Sequence, residues 1–176
     1  MIIPKIYLET TMFSFYHEKR IMPPYLELRA EVHRIFEMIK AGVFEPYTSP
    51  YTIKEINNEP DKEKQKNMKE LITDYSIELL PITKETERLA ALYVQEKAVA
   101  SAWITDAAHI ATATHNGLDF IVSLNFTHIV RPWTIERVRL VNKREKYQTI
   151  GIYKPMEVLE IYEDRKGILE RSQNVE

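Results

Sequence analysis

The stretch Thr105-Asp106-Ala107-Ala108-His109-Ile110-Ala111-Thr112-Ala113 limits most strongly what this chain can fold into. Its small side chains let a helix lie close against a flat apolar partner such as a sheet. Thr105 is expected to cap that helix, which places Asp106 in the first turn, where an acid complements the helix dipole. An acid at that place is also held rigidly at a helix mouth, and other polar residues along the chain recur at comparable places.

Lys5-Ile6-Tyr7-Leu8 reads as a short strand that runs directly into Glu9-Thr10-Thr11. A carboxylate followed by hydroxyls at the carboxyl end of a first strand is where open α/β sheets hold their ligands. Phe13 to Tyr25 is aromatic, ends in Pro23-Pro24, and is expected to form a loop or lid near that strand end. From Leu26 to Ala41 the residues Leu28, Val32, Ile35, Phe36 and Ile39 recur at helical spacing before Gly42. Val43 to Thr48 is a second strand. Ser49-Pro50 then opens a helix through Ile56, because proline suits the first helical position. Glu55 lies about one turn into that helix, on a face able to look back toward the strand ends, with Glu59 as a nearby competitor.

Asp61 to Lys69 reads as a solvated helical face held by i,i+4 charge pairs. Ile77 to Leu80 is a third strand and Glu85 to Lys97 a further helix. The central helix follows and stops at Asn116-Gly117. Phe120-Ile121-Val122-Ser123 is apolar and β-branched, as in a strand covered on both faces, and leads into Leu124-Asn125-Phe126-Thr127-His128-Ile129. Arg131, Arg137, Arg139, Lys143, Arg144 and Lys146 outnumber Glu136 and Glu145 on the next segment, an excess suited to RNA phosphates. Thr149 to Tyr153 is expected as an edge strand, and Pro155 opens a last helix through Leu159 and Ile161.

Short strands alternating with helices predict a three-layer α/β/α sandwich around a central, mostly parallel sheet. A chain of 176 residues that is 44% apolar has enough material for one core. Residues 1–162 are therefore expected as one domain and 163–176 as a polar, mobile tail. A formal charge of -2 excludes an overall basic binder, so a polyanion site must be local. The chain has no cysteine, which removes disulfides and thiolate zinc sites and leaves oxygen and imidazole ligands for any metal. Met1-Ile2-Ile3-Pro4-Lys5 is too short an apolar run for a secretory signal, and no run of about 18 apolar residues occurs. A cytoplasmic protein is expected.

In such a sheet the strand ends after Leu8 and Val122 share one edge with the helix starts, so Glu9, Glu55, Asp106 and Asn125 converge there. Crowded acids repel unless protons or a cation neutralise them, which favours a divalent metal. Only four glycines are present and none forms a phosphate-cradling loop, which disfavours a nucleotide-binding domain.

On four pieces the chain resembles PIN-domain proteins: Ile6-Tyr7-Leu8-Glu9-Thr10-Thr11, Tyr51-Thr52-Ile53-Lys54-Glu55-Ile56, Thr105 to Ala111, and Val122 to Ile129, in order and spacing, over roughly Lys5 to Leu159. The resemblance implies a metal-dependent ribonuclease, often the toxin of a type II toxin-antitoxin pair, with Mg²⁺ or Mn²⁺ held by Glu9, Glu55, Asp106 and Asn125. RNA, an antitoxin protein and a second copy of the chain are the implied partners. Glu9 stands where the family usually has aspartate, and Asn125 where it has Asp or Asn. Those two departures leave a second reading, a PIN-like module that binds RNA or a protein without cleaving.

Overall fold

The computed structural model describes residues 2–163. Five strands form one all-parallel sheet in the order β3-β2-β1-β4-β5, with helices on both faces, a three-layer α/β/α sandwich. The strands are β1 (Lys5–Leu8), β2 (Glu45–Thr48), β3 (Glu78–Leu79), β4 (Phe120–Val122) and β5 (Gly151–Tyr153). Strand alternation divides the core. Ile6 and Leu8 of β1 enter one apolar cluster while Tyr7 between them enters the other.

The first cluster packs β1 against α1 (Thr10–Tyr16), α2 (Tyr25–Lys40) and α4 (Lys62–Asp74), through Phe13, Val32, Ile35, Phe36, Met68 and Leu71. The second packs Tyr7, Ile121 and Ile152 against α5 (Lys84–Gln95), α6 (Ile104–His115) and α7 (Pro132–Arg144). Ala107, Ala108, Ala111 and Ala113 of α6 are all buried, so the small-residue helix lies against the sheet as its composition demands. Helix α3 (Pro50–Asn57) follows β2, and Pro50 stands at its start. Residues 155–163 are helical. No helix among the described residues is long and apolar enough to cross a membrane.

Three local expectations are corrected. The segment opening at Phe13 is not all loop: the Glu9 side chain accepts from Thr11 N and caps α1, and Met12 and Phe13 go into the core. Thr105 is not the cap of the central helix. A 3-10 turn over Ser101–Trp103 already winds the chain, so α6 starts at Ile104 with Trp103 as N-cap, and Asp106 keeps its first-turn place. The helix that carries the charged run beginning at Asp61 continues to Asp74, and Met68 and Leu71, three residues apart, give it a buried stripe. Of the expected tail, 163–176, all but Glu163 lies outside the described residues.

Candidate metal centre

Because every strand is parallel, all carboxyl ends lie on one edge. The chain leaves β1 toward α1 and α2 on one face, whereas it leaves β4 toward α7 on the other. Neighbouring strands whose connections diverge in this way open a crevice between them. Glu9 follows β1 and Ser123 follows β4 at that crevice, and Ser123 Oγ donates to Glu9 Oε2 across it at 2.7 Å.

Glu9 is 2% exposed. Its Oε2 also accepts from Thr11 N at 3.1 Å and Thr11 Oγ1 at 2.5 Å. Burial pushes its carboxyl above the usual range, against the nearby His109 charge and these donors. Glu55 reaches in from α3 and accepts from Thr10 Oγ1 at 2.8 Å and from His109 Nε2. Burial alone would raise the Glu55 carboxyl, but the His109 hydrogen bond and charge outweigh it and the net shift is downward.

His109 is fully buried on α6, three residues after Asp106 and so on the same face of the helix. Its Nδ1 lies 2.7 Å from the Tyr7 hydroxyl, which in turn lies 2.6 Å from Ser49 Oγ. A chain of contacts therefore runs Ser49, Tyr7, His109, Glu55, Thr10. Burial alone would lower the His109 pKa, yet the hydrogen bond to Glu55 and the charges of Glu9, Glu55 and Asp106 raise it overall. When protonated, His109 sets a positive charge against the carboxylates of this crevice.

Ligand atoms of Glu9, Glu55 and His109 all lie within 4.8 Å of one another, a group that could hold a metal ion. Asp106 and Asn125 stand beside it. With Glu55 they line an open cleft of about 520 Å³ that Lys54, Trp103 and His128 also border. Asp106 is 7% exposed, and burial raises its carboxyl against the charges of His109 and His128. Its Oδ2 lies 3.0 Å from His128 Nδ1 but makes no aligned hydrogen bond there, so a buried carboxylate oxygen lacks a donor. Asn125 hydrogen-bonds the Asp106 carboxylate, and its own Oδ1 accepts from His128 N at 3.0 Å.

The four residues singled out from the sequence thus gather at one edge, Glu9 packed beneath and the other three on the cleft wall. His109 is the member that sequence reasoning passed over, although its spacing from Asp106 was the signal. The basic segment does not join them. Arg139 pairs with Glu136, Arg144 with Glu96 and Glu145, and Arg137 donates to the Glu96 carbonyl, so much of that charge is satisfied within the fold. Lys54 is the cation on the cleft wall. Comparison of the sequence with models of known protein families gives no match, and comparison with curated proteins gives none.

Proposed function

We propose that this chain is a metal-dependent ribonuclease of the PIN-domain type, the class whose resemblance also implies toxins of type II toxin-antitoxin pairs. The observation that carries the reading is the convergence of Glu9, Glu55, His109 and Asp106 at the β1/β4 crevice, one carboxylate oxygen of Asp106 being buried without a donor. Hard oxygen donors with one imidazole, and no thiolate, suit Mg²⁺ or Mn²⁺. Glu9, Glu55 and Asp106 would hold the ion, with Asn125 beside them. When bound, it supplies charge against the negative charge that develops on the phosphate and acidifies a water.

The protein's own groups do the positioning. Tyr7 fixes the His109 ring, His109 fixes the Glu55 carboxylate, and Ser123 and Thr11 fix Glu9. Lys54 offers one positive charge on the cleft wall for an RNA phosphate. A protein antitoxin and a second copy of the chain remain the implied partners of this reading.

A binding module without cleavage is the second reading. It is favoured by the internal commitments of Asn125 Oδ1 to His128 N and of Glu9 Oε2 to three donors. Incubating the purified protein with single-stranded RNA and Mn²⁺ separates the two. Cleavage that disappears in Asp106→Ala and in excess EDTA supports the nuclease. Intact RNA under all conditions, or cleavage indifferent to both changes, overturns it.

A further inference from the structure

The two tryptophans of the chain are both about half exposed, Trp103 at 49% and Trp133 at 51%, but they are held differently. Trp133 has internal partners: its Nε1 donates to the Lys97 carbonyl at 2.8 Å and the Arg137 guanidinium lies 4.2 Å above its ring. Trp103 Nε1 has no hydrogen-bond partner among the described residues. Its ring is stacked on His128, with centroids 4.3 Å apart and planes 22° from parallel.

Everything behind that stack leads to the acids. Trp103 caps α6 three residues before Asp106; the His128 ring lies against Asp106 and its backbone N–H donates to Asn125. Trp103 and His128 line the same cleft as Asp106, Asn125 and Glu55. A planar, half-open π surface with a free N–H, fixed on one side and set at the mouth of an acidic cleft, matches a nucleobase, whose flat face stacks on indole whatever its identity.

We propose that Trp103, with His128 stacked against it, is a platform on which an unpaired RNA base stacks beside the acid cleft. This deepens the ribonuclease reading and rests on it for the ligand. A base inside a duplex already has both faces covered, so the platform selects single-stranded substrate.

The test reads binding apart from cleavage. Trp133→Phe leaves Trp103 as the sole indole, and its emission is followed while a short oligoadenylate, the same length of abasic oligomer, or a blunt RNA duplex is added with Ca²⁺ as the counter-ion. Oligoadenylate is expected to quench the emission, and the abasic oligomer and duplex are not. In the otherwise wild-type chain, Trp103→Leu is expected to weaken oligoadenylate binding about tenfold and Trp103→Phe about twofold or less, since phenyl still stacks. With Mn²⁺ and RNA, Trp103→Leu is expected to raise KM and leave kcat near that of the wild type. Equal quenching by the abasic oligomer, or wild-type affinity in Trp103→Leu, overturns the platform. Wild-type cleavage with an unmoved KM in Trp103→Leu overturns the platform and leaves the nuclease standing. Base-dependent quenching by a protein that never cleaves keeps the platform and removes the nuclease.

Discussion

At the scale of single residues, the crevice is organised by a histidine enclosed by acids. Glu9 and Asp106 were legible in the sequence because a strand end and a helix first turn announce themselves. The roles of His109 and Tyr7 were not, because imidazole and phenol on apolar faces look like core until the fold brings Tyr7, on the opposite pleat from Ile6 and Leu8, against α6. Tyr7→Phe is expected to destabilise the protein by about 1–3 kcal/mol, since it strands buried His109 Nδ1 and Ser49 Oγ without a partner. Urea denaturation measures it. The raised pKa of His109 means that its imidazolium stabilises the fold fully below the ordinary histidine value of about 6.5, and that this contribution is lost as pH rises through the folded value. Glu9 and Asp106, also shifted upward, act in the same direction above the usual carboxylate range. Metal-free protein should therefore unfold at lower urea at about pH 9 than at about pH 6, and the difference should shrink in His109→Gln. A pH difference of the same size in the two proteins would remove His109 from that role.

Among the elements, helix and strand periodicity located most of the chain, and the errors fell where a side chain acts on the backbone. The Glu9 cap that starts α1 uses a residue rarely counted as an N-cap, so the aromatic stretch behind it read as a loop or lid rather than a helix. The basic character of α7 was equally visible, but pairing with Glu96, Glu136 and Glu145 depends on α5 lying alongside and on the local turn, which composition does not report. Helix α3 instead presents Lys54 and Glu55 to the cleft. Lys54→Gln is accordingly expected to lower the slope of RNA affinity against salt by about 1, whereas Arg139→Gln with Arg144→Gln should leave it nearly unchanged. Binding measured across a salt series decides between the two helices, and the reverse pattern would return the RNA path to α7.

For the whole molecule, the decisive feature is the all-parallel sheet whose connections diverge at β1 and β4, since it brings Glu9, Glu55 and Asp106 together from positions far apart in sequence. The alternation of strands and helices made that architecture legible; the exact neighbours of each carboxylate became visible only with the packing. Buried acids held together without a cation oppose folding, so Glu9→Gln is expected to raise the melting temperature of the metal-free protein and to lose most of the rise that Mn²⁺ gives the wild type. An unchanged Mn²⁺ response in that variant would place the ion elsewhere. The most direct test of the centre itself is calorimetric titration of Mn²⁺ into the wild type and Glu55→Gln. Saturable binding to the wild type, weakened about tenfold or more in Glu55→Gln, is the expected result. Absence of binding to the wild type, or identical isotherms for the two proteins, would contradict a metal centre at the β1/β4 crevice.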